Sequence, residues 1–113
     1  MKGAELISLL REYRSRTREL VADLDERQLI GPRLATVNPP LWEIGHVGWF
    51  QEFWLLRHLR RHKPLLENGD QLYNSTDVAH EVRWDLLLPS RYDTWRYLDE
   101  VLDRVTEPIE GKH

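Results

Sequence analysis

The chain has 113 residues, a formal net charge of −3 and no cysteine. This length predicts one domain over residues 1–113. The missing cysteines exclude disulfides, thiolate metal sites and cysteine nucleophiles, and the charge balance lacks the basic excess of a nucleic-acid-binding domain. Because the N-terminus is not a signal peptide and no apolar run is long enough for a membrane span, we expect a cytoplasmic protein.

The first predicted helix covers about residues 4–24 and has one apolar face. Its apolar side chains recur every three or four residues, which is typical of a helix with one buried stripe. The arginines between them are assigned to the solvent side. A short helical turn is predicted over 25–29, before Gly31 and Pro32. The predicted stripe consists of Leu6, Leu10, Tyr13, Thr17, Leu20 and Leu24.

The second predicted helix begins at Pro39 and extends to about His62. Asn38 is predicted to cap it, and proline is favoured in the first turn because the N–H that it lacks would have no helical partner there. Pro64 is predicted to end the helix. The inward face is rich in aromatic rings and consists of Trp42, His46, Trp49, Phe50, Phe53, Leu56 and Leu59.

Residues 64–89 form a long connection, and the third helix is predicted to begin at Ser90. Connections of this length usually carry structure of their own or a function. Ser90 with Asp93 resembles a capping box, and Pro108 and Gly111 are predicted to end the helix. No segment alternates like a strand, so the predicted fold class is all-α with three main helices. The apolar stripe of the third helix consists of Tyr92, Trp95, Leu98, Val101 or Leu102, and Val105.

The histidines are the nitrogen ligands that a metal site in this chain would use. His58 and His62 share the four-residue spacing of a helical metal site, but their basic neighbours oppose a cation, so we interpret them as surface residues. His80 is interpreted as a hydrogen-bonding loop residue, with a functional role as the alternative. His46 lies on the aromatic face, where both ring nitrogens need partners. Spacing alone favours a hydrogen-bonded core histidine there over a metal ligand.

The segment around His46 resembles the first motif of the ergothioneine sulfoxide synthases. Residues 38–53 read NPPLWEIGHVGWFQEF, and that family has a proline-rich helix start followed by a histidine and an aromatic run. Residues 72–75, LYNS, resemble the family's Phe-Asn-Ser segment. Residues 79–85, AHEVRWD, together with the NPPLWE start look closer still to the selenoneine synthase branch. The resemblance covers nearly the whole chain and implies a DinB-like up-down helical bundle.

The resemblance implies that His46 is one of three histidines that bind Fe(II) in the parent protein. In that family the other two histidines come from a fourth helix, and a C-terminal formylglycine-generating-enzyme-like domain completes the active site. The parent enzymes are oxidoreductases of ergothioneine and selenoneine biosynthesis that form C–S or C–Se bonds on hercynine. This sequence shows neither the fourth helix nor the second domain, so we expect the bundle to be incomplete on its C-terminal side.

Two functions remain as expectations. In the first, the chain is the N-terminal portion of such a non-haem iron synthase, inactive in isolation, with no catalytic residue of its own and no stably bound cofactor. In the second, it is a stand-alone, metal-free dimerisation or interaction domain. An uncovered apolar face favours association, so we expect a homodimer and no nucleic-acid or membrane partner. A further alternative places one metal ion between the His46 side chains of two copies.

Overall fold

The computed structural model describes residues 2–111, in which helices alternate with turns and irregular connections and no strand is present. The predicted all-α fold class is therefore confirmed. Two short α-helices and a 3₁₀ turn at His80–Val82 connect three long helices. The α-helices are α1 (Gly3–Val21), α2 (Glu26–Ile30), α3 (Pro40–Gln51, continued by a π-helical segment over Glu52–His58), α4 (Gly69–Tyr73) and α5 (Arg91–Gly111). None of these helices is long and apolar enough to cross a lipid bilayer.

Helix α5 lies at the centre of the arrangement, because it packs against both α1 and α3, whereas α1 and α3 make few contacts with each other. The short helices α2 and α4 pack on α3. The core is formed mainly by side chains of α3 and α5, and its fully buried members include Trp42, Leu56, Leu98 and Val101. The groove between α1 and α3 is consequently the open side of the bundle.

The buried face of α1 differs from the predicted stripe. Ile7 and Arg14 are buried, whereas Tyr13 is 58% exposed and Leu20 is 82% exposed. The prediction was wrong because a narrower face of α1 is buried, and this face includes Arg14 as well as apolar residues. Tyr13 and Leu20 face the open side of α1, where no described element covers them.

Arg14 is buried because its guanidinium finds acceptors on two helices. Its Nη1 donates to the carbonyl oxygen of Leu98 on α5 at 2.6 Å, and its Nη2 donates to Oε1 of Gln51 on α3, also at 2.6 Å. Burial lowers the pKa of Arg14 from its ordinary value. Arg14 therefore fastens α1 to both other long helices, a role that apolar periodicity cannot reveal.

The short helical turn predicted over residues 25–29 is present as α2, and a capping box forms its N-terminus. The Asp25 carboxylate accepts from the backbone N–H of Gln28 at 2.8 Å, and the Gln28 side chain accepts from the backbone N–H of Asp25 at 2.9 Å. Gly31 ends α2 with a φ of +70°, a left-handed conformation that glycine adopts without strain.

The second long helix departs from prediction at both ends. Asn38 does not cap it, because its side-chain oxygen accepts from Arg83 at 3.0 Å, and Pro39 occupies the capping position. The helix widens to a π-helix after Gln51 and ends at His58 rather than His62. Arg61, with a φ of +59°, then reverses the chain.

Glu52 is the buried residue at the start of the π-helical segment and is only 1% exposed. Its carboxylate accepts from the Tyr97 hydroxyl on α5 and from the backbone N–H of Leu65 at 2.6 Å. Burial raises the pKa of Tyr97, and the Glu52 carboxylate raises it further. This network joins α5 and the chain after the reversal to the π-helical turn.

The third long helix begins as predicted, with Ser90 Oγ accepting from the backbone N–H of Asp93 at 3.1 Å. Pro108 does not end it, since α5 continues to Gly111. A proline has no N–H for the carbonyl four residues earlier, and Arg60 supplies the missing donor to Arg104 O at 2.9 Å. Tyr92, predicted to be buried, is 70% exposed, and Tyr97 is buried in its place.

We predict that Arg14→Ala lowers the free energy of unfolding by about 1–3 kcal/mol, because it removes two charge-assisted hydrogen bonds, one buried and one partly buried. Arg16→Ala is the matched control, since Arg16 is exposed and, within the described part of the chain, forms its ion pair with Glu12 one turn earlier; its loss should change stability by less than about 0.5 kcal/mol. Urea unfolding followed by circular dichroism measures both. Equal stabilities of the two variants would contradict the anchoring role of Arg14.

Candidate functional site around His46

Helix α3 holds His46 in a row of aromatic rings. The imidazole stacks on Trp42, with ring centroids 4.8 Å apart and planes inclined by 9°. Trp49 lies 5.9 Å away by the same measure and Phe50 lies 6.1 Å away. These neighbours are three or four positions from His46, which is the spacing of side chains that meet on one helix face. The imidazole is half-buried and its orientation is set by the rings around it.

The two ring nitrogens of His46 have different environments. Nδ1 lies 2.8 Å from the carbonyl oxygen of Tyr73, and because a carbonyl only accepts, Nδ1 carries the proton and donates it. Nε2 has no hydrogen-bond partner among the described groups. A metal-binding histidine commonly donates its second N–H to a backbone carbonyl in this way. His46 is thus arranged to offer the Nε2 lone pair.

A second ring on α3 uses the neighbouring carbonyl. Trp42 Nε1 donates to Leu72 O at 2.6 Å. Leu72 and Tyr73 end α4, and the last carbonyls of a helix have no partner within the helix itself. The rings of Trp42 and His46 therefore supply hydrogen-bond donors to the last two carbonyl oxygens of α4, and these bonds fix the orientation of both rings.

Arg83 supports the same assembly from the other connection and was not predicted from the sequence. It is buried, and its guanidinium carbon lies 4.0 Å from the centroid of Trp42. Its donors go to Val78 O, Ser75 O and Asn38 Oδ1 at 2.7–3.2 Å. All of these acceptors are neutral, so a buried cation is held by carbonyl and amide oxygens and by an aromatic ring. The one sequence signal was its position beside a tryptophan in the AHEVRWD segment.

His80 hydrogen-bonds within the loops, as its interpretation predicted. Its Nδ1 lies 3.0 Å from Asn38 Oδ1 and its Nε2 lies 2.7 Å from Leu34 O. Trp84 contacts the ring edge-on, with centroids 4.9 Å apart. Both nitrogens of His80 thus face oxygen atoms of the loops, whereas Nε2 of His46 has no partner in the described part of the chain.

His58 and His62 do not share a helix face, because the helix ends at His58. His58 lies edge-on against Trp54, and Nδ1 of His62 faces the carbonyl oxygen of Lys63 at 2.7 Å. Among the side chains that the structure describes, no three histidine, aspartate or glutamate residues come together closely enough to hold a metal ion. His113 lies outside the described residues.

A cleft of about 390 Å³ lies beside the aromatic row. Four rings of the second long helix form one wall, and residues 74–77 form the other. Asn74 organises the polar wall, since it donates to Asp77 at 3.1 Å and accepts from the backbone N–H of Thr76 at 3.0 Å. The volume suits a small ligand or part of one. The four rings are those of Trp49, Phe50, Phe53 and Trp54.

Tyr73 provides a pH-dependent test of how the site is packed. Its side chain is fully buried, and burial raises its pKa to about 12. Its hydroxyl makes no hydrogen bond to the described residues. A raised pKa means that the neutral form is favoured in the folded state, so this stabilisation is complete below pH 10 and is lost as the pH rises toward 12.

We expect the free energy of unfolding to fall between about pH 10 and pH 12, with roughly 2–3 kcal/mol of the fall due to Tyr73. Tyr73→Phe should reduce this fall and leave stability at neutral pH nearly unchanged, because the hydroxyl has no partner to lose. Tyr13→Phe, at an exposed position, should leave the alkaline fall as it is. Urea unfolding across this pH range gives the values, and identical profiles for both variants would count against the assignment.

Comparison with known proteins identifies the superfamily of the chain. The sequence profile of the DinB superfamily matches residues 9–111. The chain is 32% identical over 109 residues to a hercynine oxygenase from Mycolicibacterium thermoresistibile. This alignment covers 95% of the chain but 24% of the relative, so the chain spans about a quarter of the length of the curated protein that it matches. A superfamily match over most of the chain, together with this distant relative, establishes that the chain belongs to the DinB superfamily.

Proposed function

We propose that this chain is the ligand-bearing N-terminal portion of a non-haem Fe(II)-dependent synthase that forms a C–S or C–Se bond on hercynine. The observation that carries the proposal is the arrangement of His46, which donates from Nδ1 to Tyr73 O and leaves Nε2 without a partner among the described residues. The similarity to a hercynine oxygenase over nearly the whole chain supports the substrate.

His46 fits the role of one ligand, and the described residues do not supply a complete set. Non-haem iron sites use three protein ligands that leave positions open, so the proposal requires two more ligands from outside residues 2–111. Bound ferrous iron would supply the oxygen-dependent bond formation. The part played by this chain is to fix the His46 ring, to present Nε2, and to exclude water on the side covered by Trp42. The isolated chain is then inactive and holds no iron stably.

Cobalt(II) is a paramagnetic substitute for ferrous iron that tests the ligand assignment on the chain itself. We expect millimolar Co(II) to shift or broaden NMR signals of His46 and its neighbours Trp42 and Tyr73. His46→Ala should abolish these effects, and His58→Ala should preserve them, because His58 lies about three turns further along the helix and is exposed. If Co(II) still shifts or broadens the signals of Trp42 and Tyr73 in His46→Ala, the proposal is contradicted.

Enzyme activity tests the rest of the proposal. The protein encoded by the whole reading frame, loaded with ferrous iron, should convert hercynine with a thiol or selenol donor to a product detected by mass spectrometry. The 113-residue chain alone should give none. Turnover by the isolated chain, or a reading frame without further histidine ligands, would contradict the assignment.

A second candidate function, a homodimerisation domain, is favoured by the open groove between α1 and α3. Leu20 and Val47 both line this groove. Leu20 is 82% exposed and Val47 44%, and further along α3 Phe50 is 53% exposed. Exposed apolar groups in a continuous strip are typical of association surfaces. A second copy of the chain would bury them.

Sedimentation velocity tests the homodimer. We expect a dimer at tens of micromolar that Leu20→Glu converts to a monomer. Leu87→Glu is the control, since Leu87 is 93% exposed but lies in the connection before α5. A monomeric wild-type chain would exclude this candidate, and dimerisation that requires Co(II) would instead indicate one metal ion shared by two His46 side chains.

A further inference from the structure

We propose that Gly45 is a positioning residue for His46. Its missing side chain lets the Tyr73 ring lie against α3, and this contact brings the Tyr73 carbonyl to Nδ1 of the neighbouring histidine. The effect on the histidine tautomer stands without any metal, whereas its consequence for metal binding rests on the proposed function.

The contact between Gly45 and Tyr73 leaves no room for a methyl group. A Cβ at position 45 would lie under 3.0 Å from Cε1, Cζ and the hydroxyl oxygen of Tyr73, closer than real Cβ atoms approach. The Tyr73 side chain is completely buried, so its ring has no solvent-filled space into which it can swing. An alanine at this position therefore pushes on the Tyr73 ring, and we expect the rigid ring to pass this displacement to the backbone of Tyr73 at the end of α4.

The displaced residue also carries the acceptor for His46. The Nδ1 to Tyr73 O distance is 2.8 Å, and a hydrogen bond is lost once this distance exceeds about 3.5 Å. A backbone movement of less than one ångström at Tyr73 is therefore enough to break it. The adjacent bond from Trp42 to Leu72 O lies on the same helix end and would move with it.

The lost acceptor changes which nitrogen carries the proton. The hydrogen bond made by one imidazole nitrogen sets the tautomer, and Tyr73 O is the acceptor that holds the proton on Nδ1. Without it, the proton is free to occupy Nε2. A protonated Nε2 has no lone pair for a cation, because coordinating histidine nitrogen must be deprotonated. Gly45 thus acts on the candidate ligand through the packing of α4.

Gly48 offers a matched control on the same helix. A Cβ there would also lie under 3.0 Å from its neighbours, but these are Cγ and Cδ1 of Leu98 on α5. Both substitutions to alanine therefore overpack a helix contact and lower stability. Only the substitution at Gly45 presses on the residue that holds His46.

Long-range ¹H–¹⁵N NMR of the ¹⁵N-histidine-labelled 113-residue chain tests the proposal. We expect wild type and Gly48→Ala to show His46 protonated on Nδ1 and unprotonated on Nε2. Gly45→Ala should shift protonation toward Nε2. A wild-type tautomer in a folded Gly45→Ala variant, or the same change in both variants, would overturn the proposal.

A double variant keeps the test decisive if Gly45→Ala does not fold. Tyr73→Leu combined with Gly45→Ala removes the obstructing ring but keeps the backbone carbonyl of residue 73. We expect this variant to fold and to recover the Nδ1-protonated form. Failure to fold, or folding with the proton on Nε2, would show that the contact between the glycine and the ring is not what positions His46.

Cobalt(II) titration of the same proteins separates this inference from the proposed function. Gly45→Ala should weaken the Co(II) effect at His46 by about tenfold or more, the range for losing a partner of a ligating histidine, and Gly48→Ala should retain it. Equal Co(II) responses of Gly45→Ala and wild type would refute the positioning role and leave the ligand assignment intact. No Co(II) response in a wild-type chain with the expected tautomer would refute the ligand assignment alone.

Discussion

Two carbonyl groups at the carboxyl end of α4 are the acceptors on which the site depends. Helix ends leave backbone oxygens without partners, and here Leu72 O and Tyr73 O are satisfied by the rings of Trp42 and His46. The bonds fix both rings and bind the long connection to α3 at the same time. The long connection therefore has a structural role. The hydrogen bond that orients His46 exists because a carbonyl oxygen at the end of α4 needs a donor.

The buried charged side chains of this small bundle are likewise held by hydrogen bonds to neutral groups. Arg14, Glu52 and Arg83 are each at most 8% exposed, and their hydrogen bonds go to carbonyl oxygens, a backbone N–H, amide oxygens and a tyrosine hydroxyl. None of the three forms an ion pair with the described residues. Such groups contribute little net stability when satisfied but are costly once a partner is lost. They define how the helices are joined, whereas the apolar core supplies the driving force.

Patterns that act within one helix were predictable from the sequence. The apolar repeat located the long helices, the Ser90 cap was confirmed, and the motif around His46 identified the family.

The errors in the sequence-based predictions have a different cause. Asn38 forms a bond to Arg83 from a distant part of the chain, and Arg14 is buried because Gln51 and Leu98 happen to lie opposite it. Pro108 is tolerated because Arg60 donates to the carbonyl that proline leaves open. These are tertiary contacts, and no local pattern contains them. The proton position on His46 likewise depends on the Tyr73 carbonyl of α4, so the sequence indicated the residue but not its hydrogen bond.

The π-helical segment from Glu52 to His58 alters how this chain must be aligned with its relatives. Hydrogen bonds from residue i to i+5 give a wider turn than those of an α-helix, so the segment accommodates an extra residue over the same length. A relative with a regular α-helix here would be one residue shorter, and an ungapped alignment would pair each later residue with the wrong neighbour. Deleting one residue within this segment would restore α-helical geometry and rotate everything from Trp54 onward, while His46, nearly two turns upstream, keeps its place. An insertion or deletion in this stretch would therefore reshape the aromatic wall of the cleft independently of the histidine beside it.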